Sequence, residues 1–429
     1  MPARLRRTLL ATAMAATLAA AVAACGGASE QQSASGPVTL VVKTFSQFGY
    51  DALYKEYEAG HPGVTIKEEN IGKLGDYTPK LQQWMTAGSG AGDVVALEEG
   101  LISQYLAKPD KFVNLLEKGA DSLKPDYLDW KWNQALTADG KTLIGLGTDI
   151  GAQGMCYRKD LFQKAGLPTD RDQVGALWPT WDAYLATGKR FLAANTGAKF
   201  YDASSGMYQN ILMQQGDHTY YDKANTFVAD SNPAVRSAYD QTVGMIQGGL
   251  SANLDQYSPQ WNAGFKKGTF ATIACPSWML ATIQKQAGPE NADKWDVARV
   301  PGNGAVRGGS FLAVPKQSKH QDQAVELAKF LTSAKGQIGA FQAKGNFPSS
   351  PQAIDDPVVK GLTNAYFGNA PVGKIFGASA MAVKPVYLGP ANVAIGDRFT
   401  NALLAVEQGK LQPAEAWSKA IDEAKRLVK

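Results

Sequence analysis

From residue 38 onward the chain switches between two spacings of apolar positions. Residues 38–45 (VTLVVKTF), 64–68 and 93–97 (DVVAL) are short, Val- and Leu-rich runs of strand length. Between them, 50–59 and 77–86 repeat apolar positions at helical spacing, and a glycine-rich break covers 88–92. A helix is expected at 127–136, then a turn at Ala138-Asp139-Gly140-Lys141, an extended stretch at 142–146, and the glycine-bounded segment Gly147-Thr148-Asp149-Ile150-Gly151, a candidate hinge. Helices follow at 181–194, at 232–248 with an Asn-Pro start, and at 258–267. Further strands are expected at 270–275 and 309–314, and further helices at 320–332, 400–409 and 413–427. Strands that alternate with helices in this way specify α/β architecture with doubly wound sheets.

The first 37 residues follow different rules. Arg4, Arg6 and Arg7 precede an apolar run from Leu9 to Ala24, which reads as a signal peptide over 1–24. Val22-Ala23-Ala24-Cys25-Gly26 resembles the lipobox of bacterial lipoproteins, which makes Cys25 the acylated first residue of the mature chain. Residues 26–37 (GGASEQQSASGP) have nothing to bury, so 25–37 reads as a lipidated cysteine with a flexible tether. Two acyl chains hold a membrane stably where one does not, so a diacylated Cys25 suffices as anchor. Arg6-Arg7-Thr8-Leu9-Leu10 loosely fits a twin-arginine signal and leaves the export route open.

Loss of the leader lowers the net charge of +4 by its three arginines, to +1. That excludes the basic footprint of a nucleic-acid binder. About 400 residues exceed one core, so two domains are expected. Cys156 and Cys275 either pair or remain core thiols; both lie in strand-like runs, which permits pairing on adjacent strands in an exported protein.

Few residues carry chemistry by pattern. Residues 135–142 satisfy a permissive phosphate-loop pattern, but a helix precedes and a strand follows, the reverse of what that loop requires. His61, His218 and His320 stand apart, with no metal spacing, and no cofactor is expected. Glu98 and Glu99 follow a buried strand at the end where α/β sheets bind ligands, and only one of the two can face the cleft. Nine Trp, sixteen Tyr and sixteen Phe offer flat apolar surfaces of the kind on which sugar rings stack. Trp278, just after Cys275-Pro276-Ser277, is the candidate among them; Trp181 reads as helix-start packing.

Several stretches together resemble the extracellular solute-binding proteins of carbohydrate ABC importers. They are residues 57–64 (YEAGHPGV), 92–95 (GDVV), 157–162 (YRKDLF) with 165–168 (AGLP), and 180–182 (TWD). In the second half come 264–265 with 268–271, 275–278 (CPSW) and 345–349 (GNFPS), in order along nearly the whole mature chain. The resemblance implies a two-lobed periplasmic-binding-protein-like fold, each lobe a doubly wound sheet, joined by a hinge that the chain crosses several times. Lobe 1 would take 38–148 plus 308–350, and lobe 2 would take 149–307 plus 351–429. It also implies a monomer on the outer face of the cell membrane that closes over an oligosaccharide and presents it to ABC permease subunits. Carried over by position, Ser46, Gln47, Glu98, Asp149, Tyr208, Trp278 and Tyr387 fall where the family meets its ligand. Leu97 stands where the maltodextrin-binding members have a tryptophan, and Trp278 is displaced by one residue from their Gly-Pro-Trp, which argues against maltodextrins. Residues 147–151, Cys156 and Cys275 with Trp278, and 384–390 (KPVYLGP) look closer to actinobacterial cello-oligosaccharide-binding lipoproteins. The competing readings are a lipid-anchored glycoside hydrolase using a pair such as Glu98 and Asp149, and a structural envelope lipoprotein.

Overall fold

The computed structural model describes residues 36–302 and 304–428; the leader, Cys25 and nearly all of the tether lie outside the described residues. β1 (Val38–Thr44) pairs in parallel with β2 (Val64–Asn70) on one side and β3 (Val94–Glu98) on the other. Two pieces from later in the chain complete this sheet. β4 (Leu146–Gly147) and β9 (Ser310–Ala313) extend it in the order β2-β1-β3-β9-β4, with β9 antiparallel to both neighbours. The second sheet has the order β6-β7-β5-β8, formed by β5 (Gln153–Arg158), β6 (Lys199–Tyr201), β7 (Phe270–Pro276) and β8 (Trp295–Arg299). β6 and β7 run parallel, while β5 is antiparallel to both β7 and β8.

Central strands covered on both faces read as continuous apolar runs, and all seven residues of β7 are buried. The helices begin where small polar residues accept the first free N–H groups. Thr180 accepts from Ala183, Asn232 from Ala234 and Ser258 from Trp261. The helix before the last is longer than its pattern suggested, spanning Asn392–Glu407 where a start at Thr400 was expected. Gly396 and Asp397 interrupt its apolar stripe, yet Ile395 and Phe399 are buried on it.

The buried residues fall into separate cores. One surrounds the first sheet, from Leu40 to Leu146 and again from Phe311 to Ala340. The other two cover opposite faces of the second sheet, as strand alternation requires: Met155 and Tyr157 of β5 face one, Cys156 the other. Phe341 and Phe347, within the stretch expected on lobe 1, pack in a core of the second sheet. Cys156 and Cys275 form a disulfide between β5 and β7. Among the described residues no helix is long and apolar enough to cross a membrane.

Candidate functional site

The chain passes from one sheet to the other at residues 147–151, 305–309 and 347–349, and these three segments are bonded side by side. Thr148 donates its N–H to Ser310, Ile150 to Phe347 and Gly151 to Gly308, while Arg307 donates back to Gly151. The approach at Gly151 admits no side chain, since a Cβ there would lie 1.8 Å from the Arg307 carbonyl oxygen. That close contact places Arg307, Gly308 and Gly309 beside the carboxyl end of β3, where the Glu99 N–H donates to the Gly309 carbonyl at 3.0 Å.

Side chains from both sheets converge here. A methyl group on Gly308 would stand 3.8 Å from Glu98 Oε1 and 3.7 Å from Trp278 Nε1, so a carboxylate at the end of β3 and an indole just past β7 flank this glycine. The indole N–H donates to the Arg307 carbonyl at 3.4 Å, and the Trp278 ring is half-buried. Glu98 accepts the Gly100 N–H at 2.7 Å. Burial, and then the neighbouring Glu99 charge, push its carboxyl up to about 7. Glu99, the next residue, is buried and accepts from Gln134 at 2.9 Å. Behind both lies Lys131, almost fully buried, with its Nζ 3.8 Å from the centroid of the Phe311 ring. Burial lowers the Lys131 pKa, and the charges of Asp149, Glu99 and Glu98 oppose that shift.

From the second sheet, Arg307 Nη2 donates to Gln256 Oε1 at 3.1 Å, and Gln256 Nε2 donates to Asp202 Oδ2 at 2.9 Å. Asp202 follows β6 and is fully buried, and Trp261 Nε1 also donates to its Oδ2, at 2.7 Å. Carboxylates, amides, a guanidinium and a tryptophan thus line the carboxyl ends of strands in two sheets, where open α/β sheets bind ligands. Such a mixture suits a polyhydroxylated molecule with apolar ring faces. Among the described residues no cluster of His, Cys, Asp and Glu could hold a metal ion.

The model of the bacterial extracellular solute-binding proteins matches residues 52–365. This chain belongs to that family. A crystal structure of an extracellular solute-binding protein of family 1 is 42% identical and superposes with a TM-score of 0.85, covering 92% of this chain and all of that one. The arabinooligosaccharide-binding protein of Bacillus subtilis (strain 168) is 26% identical over 337 residues, 72% of each chain. An ABC-transporter-associated binding protein from B. animalis subsp. lactis Bl-04, solved with β-1,6-galactobiose, shares the fold at 22% identity and a TM-score of 0.75, covering 91% of this chain and 98% of that one.

Within this solute-binding protein the residues expected at the site divide. Glu98 and Trp278 meet at Gly308. Asp149 adjoins them, but its Oδ1 accepts from Thr148 Oγ1 at 2.6 Å and from the Ser310 N–H at 3.0 Å, which makes it a clamp between crossing segments. Ser46 and Gln47 are exposed on the loop after β1, held by their backbones: Asn70 Nδ2 donates to the Ser46 carbonyl and Asn346 Nδ2 to that of Gln47. The other two expected residues make different contacts. Tyr208 is fully buried among the core residues of the second sheet, stacked on Phe399 with its hydroxyl bonded to Tyr220. Tyr387 reaches away from this group, donating to Asn225 at 2.7 Å beside the bridge to His218.

Lys131, Asp202, Gln256 and Arg307 escaped the sequence reading. The glycine pair after Arg307 was the available signal, since it marks backbone that must approach another segment closely. A cavity of about 560 Å³ also opens near the start of the helix Pro233–Gln247, lined by Asp217, His218 and Asn232. Asp217 bonds His218 there, and Asn232 caps Ala234, so these groups are engaged with each other.

Proposed function

We propose that this solute-binding protein is the substrate-binding subunit of an ABC sugar importer. It captures an oligosaccharide between its two lobes and presents the closed form to the permease, as a monomer held at the outer membrane face by lipid on Cys25. The observation that carries this reading is the meeting of Glu98 and Trp278 across Gly308, one from each sheet, at the point where the chain crosses between them. A ligand that touches both sheets at once favours the closed arrangement, because it binds that arrangement better than the open one. The names of the relatives support a sugar ligand: one binds arabinooligosaccharides and another was solved with a galactobiose. Within that class we infer cello-oligosaccharides, on the likeness of residues 147–151 and 384–390 to cello-oligosaccharide binders.

The hydrolase reading draws less support. An acid/base pair needs two carboxylates free to reach substrate, and Asp149 is committed to Thr148 and Ser310. A thermal-shift screen against cello-, xylo-, manno-, malto- and arabino-oligosaccharides and β-1,6-galactobiose tests the proposal. A true ligand at a hundred times its Kd stabilises the native state by about 2.7 kcal/mol and is recovered intact. Shorter products would overturn the non-catalytic reading. No shift with any sugar would overturn the sugar itself.

A further inference from the structure

Next to the crossing segments, on the side of the second sheet, lies a group of polar atoms whose hydrogen bonding the protein leaves incomplete. Gln153 is fully buried, and neither atom of its amide has a partner among the described residues. The same holds for Asp202 Oδ1, Asn210 Oδ1 and Arg307 Nη1. Native proteins rarely bury such groups without something to bond them. The backbone brings these atoms together. Gln153 donates its N–H to Ala305, and Ala152 bridges antiparallel to Val306, so Arg307 lies two residues from the partner of Gln153 and projects to the same face. The helix Ser204–Leu212 closes over that face: a Cβ on Gly206 would stand 2.6 Å from Gln256 Nε2 and 3.5 Å from Arg307 Nη1. One turn later Asn210 donates its Nδ2 to the Gly206 carbonyl at 2.8 Å, leaving its own oxygen unused.

The chemistry of this group is specific. It offers two acceptors, a charged donor and an amide that can do both, which matches neighbouring hydroxyls that each donate and accept. The Asp202 carboxylate lies one amide away from the Arg307 guanidinium, joined to it through Gln256, so the guanidinium does not face an incoming anion alone. The residue after Gln256 adds a second feature. Tyr257 has a φ of 69°, a conformation that costs a bulky side chain free energy, and its ring remains 48% exposed beside Trp261.

We propose that Arg307, Gln256, Asp202 and Gln153 form a subsite for one neutral sugar unit, bound through adjacent hydroxyls, and that Tyr257 is the platform on which a neighbouring unit stacks. The proposal rests on the oligosaccharide reading above. Calorimetric titration of the full chain with cellotriose, arabinotriose and β-1,6-galactobiose, and with cellobiouronic acid as the anionic counterpart, tests it. The wild type binds at least one neutral probe and discriminates against the acid. Arg307→Lys and Gln256→Leu weaken that binding roughly ten- to a hundredfold, the loss expected for hydrogen bonds to charged groups. Tyr257→Ala, at an exposed position, weakens it while leaving the melting temperature of the ligand-free protein unchanged. Wild-type affinity in all three variants, even with lowered melting temperatures, would make the cluster a structural network only and overturn the subsite. If the wild type binds none of the neutral probes, the sugar reading itself fails.

Discussion

Glu98 shows how much a single position determines. It follows four buried residues of β3 and lies beside Gly308, while the carboxylate of Glu99, the first residue of the next helix, accepts from Gln134 near the Lys131 charge. The tandem pair stood out in the sequence; the partners of each carboxylate, distant along the chain, did not. Burial raises the Glu98 carboxyl from 4.5 to about 7, so the folded state holds its proton more tightly than the unfolded chain does. Stability from this group is therefore present at low pH and is lost as pH rises from about 4.5 through 7. The melting temperature of the wild type should fall relative to Glu98→Gln across that interval, and parallel curves would contradict the assignment. Lys131 and Arg307 were illegible for a different reason. No local pattern tells a buried lysine in DWKWNQ from a solvated one; only its carboxylate neighbours, distant in sequence, do. Tyr208 came from the resemblance alone, and in the structure it is buried on the same helix as Met207 and Ile211.

Among the elements, those with a strong period or a capping residue were readable. β1, β3 and β7 are apolar runs, and the helices Trp181–Ala193, Pro233–Gln247 and Pro259–Lys267 each start at a residue that accepts the first N–H groups. β6 has only three residues, and β8 (WDVAR) carries a buried Asp that disguises it. Asp296 is buried there because Arg171 pairs with it at 3.0 Å, a contact from a distant helix that no local window contains. The disulfide between β5 and β7 joins residues 119 apart in sequence, so reducing it releases a large loop in the unfolded chain. The Cys156→Ser/Cys275→Ser protein should lose about 2–5 kcal/mol in denaturant unfolding. Equal stability would mean that the strand pairing alone holds β5 on β7.

At the scale of the whole molecule, the two-lobed architecture follows from cores that change identity where the chain crosses from one sheet to the other. Three bonded crossings, tightened at Gly151, join the two sheets beside Glu98, Arg307 and Trp278. A residue on the far body already touches the near one: a Cβ on Gly100 would lie 2.2 Å from Val393 Cγ2, at the start of the helix Asn392–Glu407. The alternation of strands and helices announced α/β sheets, whereas the register of the crossings depends on backbone contacts that composition does not encode. The proposed function requires that an oligosaccharide be captured by closure of these bodies around it. Small-angle scattering of the mature protein, with and without saturating amounts of the sugar that most raises its melting temperature, tests this directly. The radius of gyration should fall on binding, and an unchanged radius with the sugar demonstrably bound would contradict capture by closure.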